Sequence, residues 1–294
     1  MPRVPANGIE IEYQEIGGDG EPLLLIMGLG MQMVAWDDDF CTELAARGFR
    51  VIRMDNRDAG LSTHMSDAPA PDVMAALMGD HSSASYTLDD MADDTAGLLD
   101  ALGLESVHVV GASMGGMIAQ ALAIRHPRRV RSLTSIMSTT GSAAVGQPAP
   151  EAVAALLTPP PPPGREPYLD YAVATFRIIG SPGELFDEDS VRLRAGLAYD
   201  RDHGDDNAFG RQLVGILASA DRTERLRELD LPALVIHGDQ DPLIAPDGGA
   251  ATAEAIPGAE LLSVAGMGHD LPRPLWPAVI DAIVRTAHRP AAVH

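Results

Sequence analysis

Short runs of branched apolar residues recur along the chain, separated by stretches of helical periodicity. "PLLLIMG" (22–28), "RVIRMD" (50–55), "VHVVG" (107–111), "VRSLTSIM" (130–137), "ALVIHG" (233–238) and "AELLSVAG" (259–266) read as strands. Most are too unbroken to have a solvent face, as expected of parallel strands covered on both sides. Helical patterns are centred on 38–47, 88–102, 114–126, 247–255 and 275–288. This alternation predicts an α/β fold, a mostly parallel sheet flanked by helices on both faces. Ahead of these elements, "GIEIEYQEIG" (8–17) alternates apolar and polar residues, the pattern of a half-exposed antiparallel edge strand.

Between "VRSLTSIM" and "ALVIHG" the rhythm fails, because no buried strand pattern occurs there. "TPPPPPG" (158–164) is a stiff, extended spacer that cannot continue a helix. Three helical patterns follow it: "EPYLDYAVATFRIIG", "DEDSVRLRAGLAYDRD" and "NAFGRQLVGILAS". Their apolar faces need a surface to cover. The expected organisation is an α/β core of residues 1–140 and 226–294 carrying a helical cap, 141–225.

"VVGASMGG" (109–116) sets a serine between glycines where a strand pattern gives way to a helical one. A serine hydroxyl needs a base to become nucleophilic, and it must stand clear of the sheet to meet a substrate. In a G-x-S-x-G turn, glycines permit a strained backbone and close strand–helix packing, and the helix N-terminus faces the charge that develops during attack. The motif alone is equally consistent with a glycine-rich connection, but the strand before it and the helix after it favour Ser113 as a nucleophile.

A general base is expected from another strand end. "SVAGMGHDLP" places His269 in a glycine-rich loop after "ELLSV", and a neutral imidazole can take the serine proton near pH 7. Two carboxylates in "VIHGDQDPLIAP" compete to orient that imidazole. Asp241 is favoured, since a proline fixes its turn and it precedes His269 by 28 residues, room for one helix and one strand. Asp239 lies closer to the strand and suits a hydrogen bond to the loop backbone. The chain order Ser, Asp, His is that of the nucleophile-elbow hydrolases. Oxyanion donors are expected from the amide of Met114 and, in the loop "Gly28-Leu29-Gly30", from that of Leu29.

Composition narrows the alternatives. All 21 basic residues of this 294-residue chain are arginine, which removes lysine Schiff-base and P-loop chemistry. A formal charge of −21 argues against nucleic acid or anionic lipid as partner. Cys41, the single cysteine, excludes an internal disulfide and a thiol-rich zinc site, and it is expected to be a packed core residue. The nine histidines show no HExxH spacing, so neither metal nor cofactor is expected. Without a signal-peptide pattern or an apolar run long enough to span a bilayer, the expected location is the cytoplasm. The expected state is a monomer or small homo-oligomer.

Together, "LLLIMGLGMQMVAW", "GFRVIRMDNRDAGLS", "VVGASMGGMIAQALAIRHP", "LVIHGDQDPLIAP" and "AGMGHDLP" resemble the α/β-hydrolase superfamily along the whole chain. They are especially similar to the bacterial subgroup of aclacinomycin methylesterase and the serine-dependent macrolide esterases. The resemblance implies an eight-stranded sheet and a Ser113–His269–Asp241 triad under a helical lid. Met27 replaces the histidine that many relatives carry there, as it does in this subgroup. "DNRDAGLS" departs from the commoner D-x-R-G-x-G-x-S, and Asp55 and Arg57 are expected to brace loops.

The expected activity is serine-dependent hydrolysis of a lipophilic ester or lactone, such as a polyketide or macrolide. The pocket is expected to be apolar, with Gly28, Met33, Trp36 and Phe176 as substrate contacts. A cofactor-free perhydrolase or haloperoxidase would use the same triad. A non-catalytic binding protein on this fold would usually have lost part of it. Epoxide hydrolases and haloalkane dehalogenases would need an aspartate at position 113.

Overall fold

A computed structural model of the chain describes residues 2–159, 161–202 and 205–289. Pro160, within the expected proline spacer, and residues 203 and 204, within the expected cap, lie outside the described residues. The strands are β1 (Arg3–Ala6), β2 (Ile9–Ile16), β3 (Glu21–Ile26), β4 (Phe49–Met54), β5 (Val107–Ala112), β6 (Val130–Ile136), β7 (Ala233–Gly238) and β8 (Glu260–Val264). They form one sheet in the order β1-β2-β4-β3-β5-β6-β7-β8. β2 pairs antiparallel with β1 and β4, and every other pairing is parallel.

The central strands are apolar on both faces because both faces are covered. Leu24 and Ile26 of β3 belong to one core layer with Ile52, Val109 and Leu133. The alternate residues Leu23 and Leu25 join Val51, Val110, Ile136 and Ile236 in the other. Period-two geometry thus divides a continuous apolar run between two cores. The first layer is closed by α3 (Leu88–Ala101) and α4 (Met114–Arg125), the second by α1 (Asp38–Ala46) and α11 (Trp276–Ala287). α4 is buried around its circumference, Gln120 included.

β1 is absent from the expected strands. It has four residues, of which Ala6 alone is buried, so its apolar pattern carries little signal. Its signal lies in the turn: Asn7 and Gly8 adopt φ of 49° and 81°, the two left-handed positions of a tight hairpin. α2 (Val73–Leu77) is likewise too short for a periodic pattern.

Between β6 and β7 run α5 (Pro150–Leu156), α6 (Arg165–Ile179), α7 (Glu188–Arg201), α8 (Ala208–Leu217) and α9 (Thr223–Leu226). α6 packs on α7, and α8 packs on α2. Buried ion pairs fasten α7 and α8 to the loop after β4. Arg201 Nη2 lies 2.9 Å from Asp55 Oδ2, and Arg211 Nη2 lies 2.6 Å from Asp58 Oδ1. Asp55 also accepts from the amides of Met33 (2.7 Å) and Leu61 (3.0 Å). Arg57 makes a two-pronged pair with buried Asp94 at 2.6 and 2.7 Å. The unusual "DNRDAGLS" stretch is therefore the floor onto which the inserted helices are clamped. α10 (Pro246–Ala255) completes the helices beside β7 and β8. No helix among the described residues is long and apolar enough to cross a membrane.

Candidate active site

Ser113 links the last residue of β5 to the first of α4 and is half-buried. Its φ of 56° and ψ of −122° lie outside the regions that ordinary side chains prefer, a conformation costing about 1–3 kcal/mol. The surroundings impose it. The Ser113 amide donates to the Ile136 carbonyl at 2.9 Å, while its own carbonyl accepts from Gly116 at 2.9 Å and Met117 at 3.2 Å, starting the helix. The flanking glycines serve packing: a Cβ at Gly111 would stand 2.1 Å from the Gly115 carbonyl oxygen, and one at Gly115 would stand 2.1 Å from that of Ile26. The glycine spacing thus brings β3, β5 and α4 to backbone contact.

His269 follows β8, and its Nε2 lies 2.9 Å from Ser113 Oγ. Its Nδ1 lies 2.8 Å from Asp241 Oδ2, in the loop after β7. With a carboxylate at Nδ1, the neutral ring carries its proton there and presents an unprotonated Nε2 to the serine hydroxyl. The two candidate carboxylates separate by side-chain direction. Asp241 meets His269, whereas Asp239 Oδ1 accepts from the Gly266 amide at 2.7 Å and serves the loop. Asp241 also accepts from the amides of Leu243 (2.9 Å) and Ile244 (3.0 Å). Burial works to raise the Asp241 carboxyl, but the positive charge that His269 carries when protonated, hydrogen bonds from His237 and His269 and the Ile244 amide outweigh it. The group is held well below the usual carboxylate range.

Two supporting contacts are not among the expected site residues. Buried His237 places Nε2 2.9 Å from the Ile244 carbonyl oxygen and 3.4 Å from Asp241 Oδ2, so it braces the Asp241 loop from below. Its four-residue spacing to Asp241 was a local signal. The His269 amide donates to the Ile179 carbonyl at 2.7 Å, and Ser181 Oγ accepts from the Gly268 amide at 2.9 Å. The end of α6 thereby holds the histidine loop, a pairing across almost ninety residues that no local pattern encodes.

The loop after β3 lies against Ser113. A Cβ at Gly28 would stand 3.0 Å from Ser113 Cβ and 3.2 Å from the Ala112 carbonyl oxygen. The loop is tied at each end: Asn56 Nδ2 donates to the Met27 carbonyl (2.9 Å), and the Met33 amide donates to Asp55 (2.7 Å). Between them the Gly30 amide donates to Gln212 Oε1 at 2.8 Å. Among the described residues, the amides of Leu29 and Met114 have no hydrogen-bond acceptor. Met114 directly follows Ser113, and Leu29 directly follows Gly28, the residue that abuts Ser113.

The remaining expected contacts are dispersed. Leu29 and Phe176 are half-buried, the latter in the last turns of α6. Met33 is fully buried, and Trp36 stacks on Phe40 at 5.7 Å inside the layer between the sheet and α1. For Met33 and Trp36, core packing accounts for the apolar character. Phe209 of α8, outside the expected set, covers Gly30: a Cβ there would fall 2.8 Å from its ring. No cluster of three metal-ligating side chains occurs among the described residues.

Comparison with known proteins places this geometry in a lineage. Residues 21–166 match the profile of the α/β-hydrolase fold family. A rhodomycin D methylesterase from a Streptomyces species is 30% identical over 292 residues, covering 92% of this chain and 91% of that protein. A 2-hydroxymuconate semialdehyde hydrolase from a Pseudomonas species is also 30% identical, covering 90% and 85%. The crystal structure of an enol-lactonase from Burkholderia xenovorans superposes with a TM-score of 0.75 at 26% identity, covering 98% of this chain and all of that one. With that profile match and a relative 30% identical along nine-tenths of both chains, the chain belongs to the α/β-hydrolase family.

Proposed function

We propose that the chain is a serine-dependent carboxylic ester hydrolase that works through an acyl-enzyme. The observation that carries the reading is the unbroken relay from Ser113 Oγ through His269 to Asp241, with contacts of 2.9 and 2.8 Å. In the first half-reaction Ser113 Oγ attacks the ester carbonyl carbon while His269 Nε2 takes the hydroxyl proton. The Leu29 and Met114 amides stabilise the oxyanion, a contribution of about 10²–10³ in rate per donor in such sites. Collapse of the tetrahedral intermediate breaks the bond to the leaving alcohol, which receives the proton from His269. Water then attacks the acyl-enzyme with His269 again as base, releasing the acid and restoring Ser113. Asp241 holds the imidazole tautomer and stabilises the transient imidazolium. Every proton in this cycle is carried by groups of the chain and its substrates.

The proposed substrate is a lipophilic ester or lactone, within the polyketide or macrolide natural products. The Phe209 ring, which lies against Gly30 beside half-buried Leu29, supports this reading, as does similarity to enzymes named as a methylesterase and an enol-lactonase. Residues 141–225 act as the cap that selects the substrate, since α6 and α8 both touch the loops of the relay. A fluorophosphonate should label wild-type protein at Ser113. Ser113→Ala should abolish labelling and lower turnover of a methyl ester and lactone panel by at least about a thousandfold. Undiminished hydrolysis by a folded Ser113→Ala protein would overturn the reading.

A further inference from the structure

We infer that Gln212 is a positioning residue that sets the oxyanion geometry from the inserted helices, an inference that rests on the esterase reading above. Gln212 is completely buried on α8. Both ends of its carboxamide are engaged: Oε1 accepts from the Gly30 amide at 2.8 Å, and Nε2 donates to the Arg57 carbonyl at 2.7 Å. Rotating the carboxamide by half a turn would oppose donor to donor and acceptor to acceptor, so its orientation is fixed. The Arg57 carbonyl is itself a firm anchor, because the Arg57 guanidinium is gripped by Asp94, which also accepts from Asn7 at 3.0 Å.

The consequence falls on Leu29. Its amide belongs to the Gly28–Leu29 peptide, pressed against Ser113 on one side and closed by the Met31 amide donating to the Gly28 carbonyl at 3.2 Å. The next peptide plane, Leu29–Gly30, carries the N–H that Gln212 holds. Gly30 has φ of 68°, a region in which a glycine retains alternative conformations unless something outside the loop selects one. Gln212 makes that selection. Without it the Leu29–Gly30 plane can turn, and the Leu29 Cα that this plane shares with the Gly28–Leu29 peptide loses its restraint on that side, which loosens the Leu29 amide relative to the position of the developing oxyanion. α8 therefore contributes to the chemical step as well as to substrate shape, although it touches none of the reacting atoms.

The test compares Gln212→Met, close in volume but without hydrogen bonds, with Gln212→Glu, which keeps the acceptor for Gly30 and, when protonated, a donor for Arg57. Activity is followed on one ester and paired with the rate of fluorophosphonate labelling. A misplaced oxyanion donor should lower kcat of Gln212→Met by about 10- to 100-fold with KM within about twofold. The labelling rate should fall in proportion, since phosphonylation also builds charge on that oxygen. Relative to wild type at the same pH, which removes the titration of His269 common to both, kcat of Gln212→Glu should be highest at low pH and should fall as pH rises and the carboxyl ionises against the Arg57 carbonyl. If Gln212→Met fails to fold, the pH dependence of the Gln212→Glu to wild-type kcat ratio decides alone, and a ratio that does not change with pH overturns the inference. An unchanged kcat in folded Gln212→Met also overturns it. Ser113→Ala in parallel separates the failures. An inactive Ser113→Ala beside a fully active Gln212→Met refutes only the role of Gln212, whereas an active Ser113→Ala refutes the esterase reading beneath it.

Discussion

Replacing Asp241 by asparagine should remove turnover while leaving the loop in place. Asp241 Oδ1 accepts from the Leu243 and Ile244 amides at 2.9 and 3.0 Å, and an asparagine carbonyl can keep both bonds. The amide nitrogen then replaces the Oδ2 atom that lies 2.8 Å from His269 Nδ1. Two N–H donors cannot face one another, so the imidazole must move its proton to Nε2. That places a donor 2.9 Å from Ser113 Oγ, where the mechanism requires an acceptor. The wrong tautomer in an otherwise preserved relay costs about 10⁴ in kcat, equivalent to about 5 kcal/mol of barrier. The assay is steady-state hydrolysis of a methyl ester alongside circular dichroism and a melting curve. Asp239→Asn supplies the control, since Asp239 accepts from the Gly266 amide and makes no contact with His269. It should retain kcat within about tenfold, since the asparagine carbonyl can keep the bond from Gly266 and even its complete loss would be worth about 1 kcal/mol. A folded Asp241→Asn protein as active as wild type, or an Asp239→Asn protein with the larger loss, would refute the assignment.

Three further outcomes follow from the fold. Arg211→Met should destabilise the protein by about 3–5 kcal/mol in denaturant titration, because it leaves Asp58 buried without its cation; a change under about 1 kcal/mol would contradict this. Gly115→Ala should cost about 1–3 kcal/mol and lower activity, because the new methyl would meet the Ile26 carbonyl oxygen at 2.1 Å; an unshifted melting temperature would show that α4 can retreat freely. The hydrogen bond from Arg211, with further bonds from Asn207 and Ser66, depresses the Asp205 carboxyl to about 2 despite burial. A depressed carboxyl contributes stability that is complete above the unfolded value of about 3.8 and is lost as pH falls toward 2. Asp205→Asn should therefore flatten the acid limb of a stability–pH curve between those values, and a wild-type slope would count against the pairing.

The parts of this protein that were legible in its sequence are those whose cause is local. Buried parallel strands need unbroken apolar runs, and β3, β5, β6 and β7 announce themselves accordingly. The turn at Ser113 needs a strand before it, a helix after it and glycines where backbones touch, and all three conditions are written within twenty residues. β1 was missed because its four residues bury almost nothing; the Asn7-Gly8 turn held the information.

Other features depended on which distant groups the fold brings together. Asp239 and Asp241 are chemically identical and two residues apart, and only the path of the loop turns one toward Gly266 and the other toward His269. Trp36 carries the same apolar signature whether it lines a pocket or fills a core, and the packing of Phe40 and α11 around it places it in the core. Gln212 looks in sequence like any polar residue on an amphipathic helix. Its weight comes from bridging Gly30 and Arg57, residues more than 150 positions away. Backbone propensity and hydrophobic period act over a few residues, so the sequence alone determined the buried strands, the long helices that cover them and the serine turn. Hydrogen-bond partners are chosen by proximity after folding, so only the tertiary structure decided which acid meets the histidine and what holds the loop beside the serine.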